Sequence, residues 1–339
     1  MKGRAVLALA LALGLLGLFI LAVGWDEVLG AARTASVPLF AVAFLGTVVT
    51  LGLRSLVWHQ LLSSVDEQRP YWLFTSVFLG GTFVKYVTPY GQVASGVGVA
   101  ALVSRYYEST YEESLAAILS ADFLNYLPYY TFGTIGLGWF LLFDTLPVTL
   151  SEYVLPASLV VSGALLLLFV LYYKRAQTGQ VLLRAVYHLR RLLMRIHQPT
   201  GSLLTRENII TKFKGFAVTL ELLSKDRPTM VRAIVTAHIA WLGFVLALYA
   251  SALAVGVSLP ISVILLSIAL SKLGFLMPTP GGVGGVEIAL ASVLFLLSPM
   301  GSVLATTVAI LYRVATYWFT VLLGGTSSIA LTIFDPTPP

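Results

Sequence analysis

Six charged side chains fall inside long apolar stretches of this 339-residue sequence: Arg54, Lys85, Asp122, Lys272, Glu287 and Arg313. A charge at the centre of a bilayer costs roughly 2.5–3.5 kcal/mol on insertion scales, so each one demands a partner or a purpose. Arg313 belongs to a polar stripe at helical spacing: Thr306, Ile310, Arg313, Thr316, Tyr317 and Thr320. Asp122, Asn125, Tyr126 and Tyr129 make a second such stripe. The spacing allows Asp122 to pair with Arg313, and Glu287 with Lys272 across its turn. Arg54 stands four residues before Trp58 and fits a side chain snorkelling to the interface. Lys85 has no acid opposite it in residues 93–97. Four cations against two acids leave an excess of two positive charges. Such an excess is costly unless an anion, or a carboxylate from elsewhere, neutralises it. The chemistry suggested is the holding of an anionic group, most simply a lipid phosphate, near Lys85 and Arg313. Asp122 and Glu287 are the candidate proton-coupling groups.

Two Pro/Gly breaks must position these charges. Lys85 opens the first, Lys-Tyr-Val-Thr-Pro-Tyr-Gly-Gln, with Pro89 and Gly91 at its turn. The second, Met-Pro-Thr-Pro-Gly-Gly-Val-Gly-Gly-Val-Glu from position 277, holds Pro280, Gly281, Gly282, Gly284 and Glu287. Aligning Thr88-Pro89 on Thr279-Pro280 gives an offset of 191, which also sets Asp122 on Arg313. Spacings near that value suggest an internal repeat. Each break has short arms, and residues 92–104 hardly span a bilayer. They read as re-entrant hairpins entering from opposite faces; two full spans joined by a tight turn remain the alternative. Half-helix N-termini after Gly91 and Gly282 would add positive dipole ends at the same depth.

The surrounding composition fits this. With 58% hydrophobic and only 11% charged residues, the chain is neither an ordinary soluble domain nor a disordered one. Full spans are predicted at 5–23, 37–58, 114–143, 153–173, 231–255 and 302–330, with broken hairpins at 71–104 and 261–298. The architecture is an all-α polytopic membrane protein with an inverted repeat, about six full spans plus two hairpins. It forms one membrane domain over 1–339: first spans 1–173, basic amphipathic helices 174–230 and a second repeat 231–339. The run 5–23 is long for a signal peptide and reads as a retained helix.

Sixteen of the 21 Lys and Arg residues fall on one set of loops and only Arg33 on the other. This places both termini in the cytoplasm and the protein in the cell membrane. Twelve of the sixteen lie between Lys174 and Arg232, where Arg184, Arg191 and Arg195 line one helical face toward anionic inner-leaflet lipids. The net charge of +6 therefore belongs to a membrane surface, and nucleic acid is not an expected partner.

Soluble-enzyme signatures are missing. No His-Glu-x-x-His, Gly-x-Ser-x-Gly or Walker loop is present, the four histidines are scattered, and there is no cysteine. Neither metal nor cofactor is expected. Asp26-Glu27 keeps open a membrane-embedded polyprenyl-phosphate glycosyltransferase. A non-transporting partner of a lipid-synthesising enzyme is the third possibility.

The stretch from Pro278 to Glu287, followed by a helix carrying Tyr312-Arg313, resembles the transmembrane region of lysylphosphatidylglycerol synthase, the flippase-like membrane family. The turn from Pro89 to Gly91, followed by Arg105, resembles that family's first hairpin. The resemblance implies a lipid translocase moving an anionic phospholipid or polyprenyl-phosphate-linked sugar between leaflets. It also implies that the soluble aminoacyl-transferring part of the synthase is not present in this sequence. By motif it points to Gly281, Gly282, Gly284, Glu287 and Arg313. The expected substrate-contacting set is then Lys85, Pro89, Gly91 and Asp122 from the first half. The second half adds Lys272, Pro280, Gly281, Gly282, Gly284 and Glu287, with Arg313 and Tyr317 from the last helix.

Overall fold

The computed structural model describes residues 25–64, 70–88, 91, 99–100, 102–104, 109–143, 218–219, 221–222, 225–277 and 279–334. The predicted spans 5–23 and 153–173, the segment bearing Arg184, Arg191 and Arg195, and Pro89 lie outside the described residues. Among the described residues there are nine α-helices and no strand. They are α1 (Trp25–Arg33), α2 (Val37–Leu62), α3 (Tyr71–Val87), α4 (Tyr111–Phe143) and α5 (Arg227–Ala254). After these come α6 (Ile261–Ser271), α7 (Gly285–Leu297), α8 (Ser302–Arg313) and α9 (Phe319–Phe334).

A 3₁₀ turn, Lys272–Leu276, prolongs α6, and a π turn, Val314–Trp318, joins α8 to α9. Three rods are long and apolar enough to cross a bilayer: Val37–Leu62, Arg227–Ala254 and Ser302–Leu331. At about 1.5 Å per residue the 13 residues of α7 cover only about 20 Å, short of a hydrocarbon core of about 30 Å.

Small residues hold the centre together. Along α5, Ala233, Ala237, Ala240 and Ala247 are buried, whereas Val231, Val235, Ile239, Leu242 and Leu246 are exposed in a stripe at helical spacing. Lipid tails are as apolar as the exposed stripe, so burial of oily surface cannot drive the association; close backbone approach can. It does so against α2, which runs antiparallel. Ser36 N–H donates to Ala254 O at 2.7 Å, and the Thr50 hydroxyl donates to Ala240 O at 2.8 Å. Where the two helices cross, a methyl on Gly46 would lie 2.5 Å from the Gly243 carbonyl oxygen.

The ends of α5 are defined locally. Asp226 accepts from Thr229 N–H at 3.2 Å as the N-cap, and this bonding holds its carboxyl below the usual carboxylate range. Gly256, at φ 78°, closes the other end, and Val257 N–H returns to Ala252 O at 3.0 Å.

Two further antiparallel pairs flank this axis. The helix α9 packs on α3, with Gly324 against Leu79 and Phe83, and the Ser327 hydroxyl donates to Ser76 O at 3.0 Å. The helix α4 packs on α6, with Gly133 against Ala269 and Gly136 against Leu265. The short helix α7 is wedged between α6 and α8.

A methyl at Gly243 would overlap the Thr50 side chain and the Gly46 carbonyl, whereas one at Gly52 meets nothing within 4 Å. Gly243→Ala should therefore cost about 1–3 kcal/mol through overpacking, while Gly52→Ala should be neutral or slightly stabilising. Thermal unfolding of the two variants in mild detergent measures the difference.

Candidate functional site

The second Pro/Gly break folds into a turn lodged inside the bundle. Thr279 to Glu287 are all buried, and Gly281, Gly282 and Gly284 take φ values of 59°, 67° and 84°. An L side chain is strained at such angles, which accounts for the glycine run. At its base the arms meet backbone to backbone, Gly274 against Gly285. The chain bonds to itself as it turns: Gly282 N–H to Thr279 O at 3.2 Å, Val283 N–H to Pro280 O at 3.1 Å, and the Thr279 hydroxyl to Val283 O at 2.9 Å.

Glu287 and Arg313 complete the turn. One Glu287 carboxylate oxygen accepts from Gly284 N–H at 2.9 Å, capping α7; the other accepts from Arg313 Nε at 2.8 Å. Arg313 Nη2 donates to Gly281 O at 3.0 Å, and its guanidinium carbon lies 4.2 Å from the Tyr317 ring centre. The Tyr317 hydroxyl reaches Pro280 O and Tyr86 O at 3.4 and 3.3 Å. The positive end of α7 is thus occupied by the chain's own carboxylate.

The remaining charges pair otherwise than expected. Lys85 forms its ion pair with Asp122, so Asp122–Arg313 and Glu287–Lys272 both give way to Lys85–Asp122 and Arg313–Glu287. A shared stripe fixes which way Asp122 and Arg313 face but not what stands opposite. The end of α3 brings Lys85 to Asp122, and the buried turn brings Glu287 to Arg313. Trp58 Nε1 donates to the second Asp122 oxygen at 3.1 Å, and Lys85 Nζ lies 4.9 Å from the Trp58 ring centre. Gly91 is buried against the Lys85 carbonyl, and its N–H returns to Thr88 O at 2.9 Å.

Lys272 and Arg54 have no carboxylate partner among the described residues. Lys272 Nζ sits among rings, 5.2 Å from the centre of Phe275, 5.6 Å from Phe244 and 5.8 Å from Trp241. Arg54 does not turn to the helix end beside Trp58. Its guanidinium carbon lies 5.7 Å from the Tyr126 ring centre, and its Nε is buried without a hydrogen-bond partner. No group of three metal-binding side chains occurs among the described residues.

The sequence matches the family described as the lysylphosphatidylglycerol synthase TM region over residues 5–324. The chain belongs to this family. No curated protein matches it. For a member of the lysylphosphatidylglycerol synthase transmembrane-region family, the glycine turn, Glu287 and Arg313 are one connected unit. Tyr317 and Pro280 join it, and Lys85, Gly91 and Asp122 form a second cluster. Lys272 belongs to neither ion pair, although Arg313 acts on it electrostatically.

Sequence reasoning missed Trp58, Tyr86 and Trp241. The usable signal for the tryptophans is that a buried indole N–H needs an acceptor, and each finds one on α4: Asp122 for Trp58, and Asn125 O at 2.8 Å for Trp241. His238 makes an interhelical bond to Thr131 at 3.0 Å, and Asp26 and Glu27 lie exposed in the first turn of α1.

Glu287→Ala leaves a buried guanidinium unpaired and should destabilise the protein by about 3–5 kcal/mol. Adding Arg313→Leu should recover much of that loss. A thermal-unfolding cycle over the two singles and the double checks the coupling, and additive losses would contradict it.

Proposed function

We propose that this membrane protein is a lipid translocase that passes an anionic head group, on a phospholipid or a polyprenyl-phosphate-linked sugar, between leaflets. The observation that carries this reading is the fully buried glycine turn. Irregular backbone at membrane depth is tolerated where protein or a water-lined cavity satisfies it, and transporters place such interruptions at their substrate sites. Membership in a family named for a lipid enzyme's membrane region agrees with lipid handling.

The inverted-repeat reading gains support from the packing. The 191-residue offset carries Gly133, which meets Ala269, onto Gly324, which meets Leu79 and Phe83. It likewise carries the α4 partner of Lys85 onto the Arg313 partner of Glu287. In one half the hairpin supplies the cation and the long helix the anion; in the other half the roles are reversed. The short α7 arm and the burial of the turn favour a hairpin that re-enters over one that crosses twice. With no ATP-binding loop in the sequence, transport would be exchange driven by a gradient, by metabolic pull or by a partner.

The protein reconstituted in liposomes should expose inner-leaflet fluorescent phosphatidylglycerol to an external quencher beyond the outer-leaflet half. Loss limited to that half, as in protein-free liposomes, counts against translocation. A new lipid product would favour the glycosyltransferase, and neither signal the non-transporting partner.

Because the chain has no cysteine, topology can be read directly. Single cysteines at the exposed positions Ser258 and Gly301 should react with a membrane-impermeant maleimide from one side, and one at Lys225 from the other. Labelling of Ser258 and Gly301 from opposite sides would refute the hairpin.

A further inference from the structure

With Lys85 and Arg313 committed to carboxylates, the buried positive excess resides on Arg54 and Lys272. They come from different parts of the chain, α2 and the 3₁₀ extension of α6, and are linked through Asn125 and Trp241. Asn125 joins them: its Nδ2 donates to Arg54 O at 3.4 Å, and its carbonyl accepts the Trp241 indole, whose ring faces Lys272. Asn125 is fully buried, and its Oδ1 has no hydrogen-bond partner among the described residues.

Arg54 lies about 7 Å from the middle of α2 at about 1.5 Å per residue, well within the hydrocarbon depth. Lys272 interacts electrostatically first with Arg313 and then with Arg54, so the Asn125–Trp241 link joins two cations of one charged neighbourhood. Each is half-buried, with part of its surface still open. Among the described residues each cation lies against rings: Tyr126, which also hydrogen-bonds it, for Arg54, and Trp241, Phe244 and Phe275 for Lys272. Ring faces offer a cation modest stabilisation, and Arg54 Nε keeps no hydrogen-bond partner among the described residues.

We infer that Arg54 and Lys272 together seat the head group of a lipid phosphomonoester carrying two negative charges, with Asn125 Oδ1 accepting a hydrogen bond from a head-group hydroxyl. The inference rests on the translocase reading and narrows its substrate class. Two unneutralised cations match a dianion better than the single charge of a phosphodiester. A guanidinium fork beside a point-charge ammonium suits a phosphate with several free oxygens. Lys85 and Arg313, expected from sequence to hold the anion, instead shape the framework around it.

The test uses the full chain in detergent with radiolabelled short-chain phosphatidic acid, phosphatidylglycerol and phosphatidylcholine. Phosphatidic acid should bind about tenfold more tightly than phosphatidylglycerol, the size of effect expected of one additional charge-assisted hydrogen bond. Arg54→Gln and Lys272→Gln should each weaken phosphatidic acid binding about tenfold, and the double variant should no longer prefer it. Lys225→Gln, an equal loss of charge at an exposed site, should change nothing. Excess inorganic phosphate separates the sources: displacement of the lipid would mean that a free phosphate suffices and would overturn the lipid assignment.

Equal wild-type affinity for the two anionic lipids, or full affinity in the single variants, would overturn the inference. A melting readout guards against misfolding. Removing an unneutralised cation should leave the empty protein melting no lower than wild type, whereas a structural role would lower it. Phosphatidic acid binding without leaflet exchange would sink the translocase and spare this seat. Exchange without that preference would do the reverse.

Discussion

The structure depends on one requirement, that the backbone of the turn from Thr279 to Glu287 be satisfied although the whole turn is buried. A buried hydrogen-bonding group left unpaired costs several kcal/mol, and this turn presents donors and acceptors that no regular helix would. The Glu287–Arg313 pair meets the requirement from both ends, the carboxylate on the Gly284 N–H and the guanidinium on the Gly281 carbonyl. A buried ion pair is often a poor source of stability by itself. Here each ion also answers a backbone group, so pair and turn are mutually necessary. The π turn after Arg313 belongs to the same arrangement, since it carries Tyr317 onto the Pro280 carbonyl.

Around this unit the helices associate through what their side chains lack. The α2–α5 crossing brings Gly46 and Gly243 together, and the hairpin arms meet at Gly274 and Gly285. Large apolar residues are turned outward, as in the Val231–Leu246 stripe of α5. A soluble helix would show the opposite arrangement. In lipid this is the economical one, because oily side chains gain nothing by leaving the tails whereas close backbones gain dispersion and dipolar contact.

Much of this was legible in the residues. The glycine turn, the stripe through Asp122 and Asn125, and the stripe through Arg313 and Tyr317 all follow from spacing alone. The partners did not. Periodicity assigns a residue to a face, but the choice among Lys85, Lys272, Arg54 and Arg313 as counter-ion to Asp122 depends on how helices distant in sequence approach. The partner of Arg54 was hidden for a related reason. Its nearness to Trp58 suggested snorkelling to the interface, and nothing in the spacing pointed to Tyr126, whose ring it approaches while the Trp58 indole engages Asp122. The proposed dipole site after Gly282 failed locally, because Glu287, three residues past Gly284, folds back to cap it.

That self-capping bears on how the proposed translocase would survive without its cargo. A binding site built on a bare helix end would be whole only when loaded, and would lose order each time its cargo left. In this protein the irregular turn is closed by its own glutamate and a neighbouring arginine, so its integrity does not depend on occupancy. For the translocase proposed above, this would let the unloaded form persist in the bilayer and make the return journey that exchange without a fuel requires.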